Sequence, residues 1–216
     1  VADFVAAAVA DVPADADDTA KAVALFHAVR DGIRYDPYGI DYSREGFKAS
    51  SVATAATNWC VPKSVLLTAC ARRVGIPARL GFADVKNHLT SEKLSARMGT
   101  DLFAWHGYAE LLLPDPEQPG ERRWFKLSTA FNIELCERFG VKALEFDGTA
   151  DALMHPFDEA GNRHMEYVNQ RGTFDDLPLD TIIADFAVIY GNAFGETDRA
   201  QRPSTAEDAG DDAFSA

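Results

Sequence analysis

Three cysteines occur in the chain, and one of them stands where a thiol has something to gain. In "NWCVPKSVLLTACARRVGIPAR", residues 58–79, Cys60 opens an apolar run that reads as a helix. A side chain in the first turn of a helix lies close to unpaired backbone N–H groups and to the positive end of the macrodipole. Both favour thiolate over thiol, and the thiolate is the nucleophile. The same N–H groups could hold an oxyanion during acyl transfer. Cys70 falls on the apolar arc of the same helix and Cys136 inside a short helix further on. Both read as small core residues.

A nucleophilic cysteine needs a base. Of the five histidines, His27 falls in an N-terminal helix, His88 in a loop, and His155 and His164 in a region without clean period. His106 heads the strand-like stretch "HGYAELLL", where a rigid backbone could aim its ring. Metal binding is the competing use of Cys and His. No C-x-x-C or H-x-x-x-H occurs, Cys60 and Cys70 are too far apart for a short chelating loop, and the acidic stretch near residue 150 fails calcium-loop spacing. No glycine-rich phosphate cradle is present. Neither a metal nor a cofactor is expected.

These residues need elements to hold them. Val65, Leu66, Ala69, Cys70 and Val74 form an apolar arc over residues 60–74, with Ser64, Thr68 and Arg72 opposite. Asn58 suits the N-cap, Pro62 the first turn, and Gly75 with Pro77 the stop. Upstream, "DDTAKAVALFHAVRD" spaces Ala22, Leu25, Ala28 and Val29 as a helix over 17–31. Downstream, "ARLGFADV" reads as a strand, and "WHGYAELLLP" and "RRWFKLSTA" as a hairpin joined by the polar loop "DPEQPGE". Residues 132–139 make a short helix and 180–190 a closing one; the region between, from about 145 to 172, reads as irregular. A central helix followed by antiparallel strands is an α+β pattern.

With 216 residues, 47% hydrophobic and 25% charged, the chain suits one globular domain with a full core. That domain is expected over 1–195, with a core at about 20–135, an extension over 136–195 and an acidic, disordered tail over 196–216. A net charge of −13 argues against affinity for nucleic acid or anionic membrane. No apolar stretch approaches the roughly 20 residues of a membrane helix. The opening "VADFVAAAVADVP" lacks the basic leader of a secretory signal. Three cysteines suit reduced thiols, so the expected compartment is the cytoplasm.

In order and spacing, "NWCVPKSVLLTACARRVGIPARLGF", "HGYAELLLP" and "RWFKLSTAFN" resemble the transglutaminase-like core, a branch of the papain-like cysteine enzymes. "IRY" at 33–35 is similar to a recurrent segment just upstream of that core. The resemblance covers roughly residues 20–135. It implies a Cys-bearing central helix packed on an antiparallel sheet, Cys60 as nucleophile and His106 as base or acid. The third member in the family is usually Asp, one strand later; aligning Trp124 with the family's Trp puts Ser128 there. A hydroxyl can orient the imidazole but cannot stabilise an imidazolium by charge. Asn132, four residues on, and Glu110, on the His106 strand with even spacing, are the substitutes. Trp59 and Trp105, beside the two reacting residues, are candidates to contact substrate.

The expected function is acyl transfer from a peptide or protein amide through a thioester on Cys60, resolved by water or by an amine. The alternative is a binding module that keeps the fold and has lost the chemistry with the third-position Asp. A redox-responsive thiol is a third reading.

Overall fold

The computed structural model describes residues 1–88, 90–153 and 157–191. The expected tail and His155 lie outside the described residues.

Along the chain the elements are helices α1 (Ala2–Ala8) and α2 (Asp18–Gly32), strand β1 (Arg34–Tyr35), helix α3 (Ala49–Val52), strand β2 (Thr57–Asn58) and helix α4 (Cys60–Arg73). Strand β3 (Ala78–Asn87), helix α5 (Glu92–Met98) and strands β4 (Leu102–Pro114) and β5 (Arg122–Leu127) follow. Helix α6 (Ile133–Phe139), strand β6 (Met165–Phe174) and helix α7 (Leu179–Ile189) complete the series. The expected α+β class holds: four strands form an antiparallel sheet in the order β5-β4-β3-β6, with α4 packed against β4 and β3. No described helix is long and apolar enough to cross a membrane.

Local chemistry explains the central helix. The sequence "RRVGIP" ends it in a Schellman arrangement: Ile76 N donates to Ala71 O at 3.0 Å and Gly75 N to Arg72 O at 3.1 Å. Gly75 sits at φ 87°, where a side chain would be strained. At the other end the expectation needs correcting. Trp59, in extended backbone, takes the N-cap position, and Asn58 turns its Oδ1 onto the Trp59 N–H instead. The first-turn N–H groups of α4 therefore have no side-chain cap.

Most of the expected polar side of α4 is also buried. Ser64 is 1% exposed and Thr68 3%, with the Ser64 Oγ turned to β4 at Gly107, while Arg72 on the same side stays exposed. Lys63 is completely buried as well. Its ammonium donates to the carbonyls of Arg30 and Ala130 at 3.0 Å each and to that of Ile33. Arg30 lies in the last turn of α2, whose carbonyls have no partner within the helix, so Lys63 terminates one helix from inside another. Burial pulls its pKa down to about 7.

Two stretches were misread from the sequence. Strand β4 begins at Leu102, so His106 lies within it and does not head it. The supposedly irregular region contains β6, which pairs with β3 from Met165 opposite Asn87 to Phe174 opposite Leu80. Most of its side chains are exposed or half-buried, so the segment shows no clean apolar alternation.

Candidate active site

The parallel pair β1-β2, with Tyr35 opposite Asn58, delivers Tyr35 beside the start of α4. From the other side β4 comes closest to that helix at Gly107. A Cβ there would lie 3.0 Å from the Val61 Cα and 3.3 Å from the Ser64 Oγ, so a side chain at this position would push strand and helix apart by a few tenths of an ångström. The result brings Cys60 against the peptide that joins His106 to Gly107. The Cys60 sulfur is faced by the backbone N–H groups of Gly107, Val61 and Cys60 itself.

The electrostatics differ from the expectation of a ready thiolate. Burial raises the Cys60 thiol to about 11, outweighing the three N–H groups that favour the thiolate. Burial likewise pulls the His106 imidazole down to about 4, and no neighbouring charge counters it. At neutral pH the pair is a thiol and a neutral imidazole. The ring is 5% exposed, and its Nε2 has no hydrogen-bond partner among the described residues.

Cys60 and His106 line one cavity, together with Tyr35, Trp59 and residues from three further segments. The loop after β1 supplies Pro37, Ile40 and Tyr42, α5 supplies Leu94 and Met98, and α7 with its end supplies Phe186 and Tyr190. The space is narrow, about 50 Å³ on a measure by which one water needs about 10–15 Å³. Trp59 packs edge-on against Phe47, with ring centres 5.8 Å apart, and near Tyr42 and Phe186, while its indole Nε1 has no partner among the described residues. The hydroxyls of Tyr35 and Tyr190 both feel the Cys60 sulfur, which, after burial, raises their pKa values.

Trp105 goes elsewhere. It is the one described non-glycine residue at positive φ, 58°, and sits where the β3-β4 register shifts between Ala83 and Val85. Such a bulge re-aims the side chains beside it. Three charged residues hold it. Asp84 Oδ1 accepts from the Trp105 backbone N–H at 3.0 Å, and Asp185 Oδ2 accepts from its indole at 2.8 Å. Arg171 bridges both carboxylates at 2.5 Å and lies 4.6 Å above the indole ring. Trp105 is 4% exposed among Phe82, Phe174 and Arg171 and does not reach the cavity.

The three candidates for the third position have separate surroundings. Ser128 is buried just past β5, its backbone N–H donates to Ala152 O at 2.8 Å, and its Oγ has no partner among the described residues. Glu110, also buried, pairs with Arg79 at 2.7 Å, and Arg79 stacks on Trp124. Asn132 receives the Tyr35 N–H on Oδ1 at 3.0 Å and donates Nδ2 to Glu134 at 2.6 Å, so both ends of its amide are engaged. Sequence reasoning passed over Lys63, Tyr35, Tyr190 and the Asp84–Arg171–Asp185 bridge. Their only sequence signals were a lysine inside an apolar helix and the "IRY" segment.

Among the described residues no group of three or more His, Cys, Asp or Glu side chains could hold a metal ion. No curated protein and no solved structure matches the chain. The family model of the transglutaminase-like superfamily matches residues 6–129, more than half of the chain, and the chain belongs to that superfamily.

Proposed function

We propose that this transglutaminase-like protein is an acyl-transfer enzyme that cleaves an amide through a thioester on Cys60, with His106 moving the proton. The reading places the chain in a papain-like arrangement, with one catalytic unit running over residues 1–195. The observation that supports it best is the thiol at the uncapped start of α4, faced by the N–H of the residue after His106 and lining one cavity with that histidine.

The protonation states set the order of events. His106 takes the thiol proton as the sulfur attacks the amide carbonyl and the S–C bond forms. The N–H groups around the sulfur can receive the developing oxyanion. As the C–N bond breaks, the imidazolium returns its proton to the leaving amine. Water then attacks the thioester, with His106 again as base, and releases the acid and the thiol; an amine in place of water gives transamidation. A neutral resting pair needs no permanent carboxylate, which suits Ser128 at the third position. The Trp59 indole N–H, which has no partner among the described residues, is available to a substrate carbonyl in the cavity it lines with Cys60.

The unpaired Ser128 hydroxyl also motivates the second reading, a binding module without turnover. Treating the protein with p-nitrophenyl acetate and following intact mass separates the two. An acyl adduct mapping to Cys60, absent in Cys60→Ala and formed about a hundredfold more slowly in His106→Ala, is the expected result. An adduct spread equally over Cys60, Cys70 and Cys136, or surviving in Cys60→Ala, would overturn the proposal.

A further inference from the structure

The cavity at Cys60 carries information about the substrate. None of the described residues lining it is Asp, Glu, Lys or Arg. Beside the sulfur its walls are Trp59, Ile40, Leu94, Met98, Phe103 and Phe186, contributed by five separate segments of the chain. A charged substrate side chain entering here would lose its water and meet tyrosine hydroxyls and an imidazole but no opposite charge, whereas an apolar one would exchange water for aromatic and aliphatic contact.

We infer that the acyl group delivered to Cys60 carries an apolar, uncharged side chain, aromatic or branched aliphatic, which seats in this cavity; the inference rests on Cys60 being the nucleophile. The chain's acidity cannot be the cause of such a preference, because it acts against anions at long range and does not distinguish one neutral group from another. The selecting elements are local. Leu94 and Met98 sit on α5, a short helix inserted between the central strands β3 and β4, and Phe186 sits on α7. The free space is smaller than an aromatic ring, so seating the group requires α5 or the loop after β1 to yield, and these elements set its size as well as its polarity.

A panel of thiol reagents tests this on the intact protein. Iodoacetamide, N-benzyl-iodoacetamide and iodoacetate each alkylate a thiol by displacing iodide, so the three differ chiefly in the group offered to the cavity. Rates at Cys60 are read by intact mass and peptide mapping, each divided by the rate of the same reagent with glutathione. The expected result is a benzyl preference over plain iodoacetamide of about tenfold to a hundredfold, as for a hydrophobic group entering a fitted pocket, with iodoacetate slowest. In Leu94→Lys, checked for folding by circular dichroism, the benzyl advantage shrinks and iodoacetate gains on iodoacetamide. The wild-type panel stands alone if that variant fails to fold. Equal normalised rates for the two neutral reagents would overturn the inference and leave Cys60 as nucleophile intact. A Cys60 that none of the three reagents labels in the folded protein would overturn the acyl-transfer reading and this inference with it.

Discussion

Trp105 and His106 are adjacent in the chain and opposite in circumstance. The polar groups of Trp105 are fully engaged: its backbone N–H on Asp84, its indole N–H on Asp185, and Arg171 across both carboxylates. One residue on, the His106 Nε2 has no partner among the described residues, and neither do the Trp59 indole and the Ser128 hydroxyl. Buried polar groups are normally paired, and an unpaired one costs about 1–3 kcal/mol. Two of these three, His106 and Trp59, line the cavity with Cys60, whereas the N–H groups of Trp105 are paired. The groups that hold the Trp105 backbone are satisfied from within, and those of His106 and Trp59 that line the cavity are left for something else to satisfy.

The sharpest way to break this contrast is to unsatisfy the scaffold. Lys63 stands one turn along from Cys60, and its ammonium holds three carbonyls from α2, β1's approach and the segment after β5. Lys63→Met fills a similar volume and strands all three acceptors, so unfolding by urea is expected to lose about 4 kcal/mol. A loss under about 1 kcal/mol would show that the carbonyls find other partners and that the scaffold is not held as described.

His106 tests the other side. Its pKa is about 4 when folded and near 6.5 when unfolded, so the unfolded chain holds the extra proton between those values. Stability contributed by the neutral ring is complete above about pH 6.5 and is lost as pH falls to 4, amounting to about 3 kcal/mol. In His106→Gln, urea titrations should lose that part of the slope. For the same reason the acid limb of acylation should fall near pH 4, not near 6.5. A limb near 6.5 would mean that a negative partner reaches the imidazole in the working protein.

Arg171→Met sharpens the link between the two regions. It removes both ion pairs and the stack over Trp105, and because the guanidinium is partly exposed a loss of about 2 kcal/mol is expected. If the bulge aims His106, the acylation rate constant falls at saturating reagent while half-saturation moves little. If the bulge is only structural, the rate in the folded protein is unchanged.

How much of this could be read from the chain follows from range. The central helix and its Schellman stop are written in consecutive residues, as is the β4-β5 hairpin around "DPEQPGE", so both were legible. The Cys60 and His106 candidates were legible because their positions relative to helix and strand follow from local pattern. Helix α5 left signals that went unread: the Ser91 hydroxyl accepts the Leu94 N–H at 3.1 Å, and Gly99 ends the helix at φ 68°. The Asp84–Arg171–Asp185 bridge was not legible at all. It joins β3, β6 and α7, and β6 lies at the sheet edge with few buried side chains to betray it. Nor could local pattern show that burial outweighs the helix start in setting the Cys60 thiol.

The smallest effects compare two serines that are equally buried, each 1% exposed. Ser64 belongs to the scaffold: its hydroxyl donates to the Cys60 carbonyl at 2.8 Å. Ser64→Ala gives up that bond and is expected to cost about 1 kcal/mol, although the Cys60 carbonyl keeps its helical bond to the Ser64 N–H. The Ser128 hydroxyl has no bond to give up among the described residues, so Ser128→Ala should change stability by less than about 0.5 kcal/mol, or raise it slightly. Equal losses in the two variants would mean that Ser128 is paired in solution and that the contrast between scaffold and site does not extend to it. With stability preserved, the acylation rate of Ser128→Ala becomes a clean reading of its role. A fall of tenfold or more would show the hydroxyl orienting the imidazole during the reaction, since the resting fold does not depend on it.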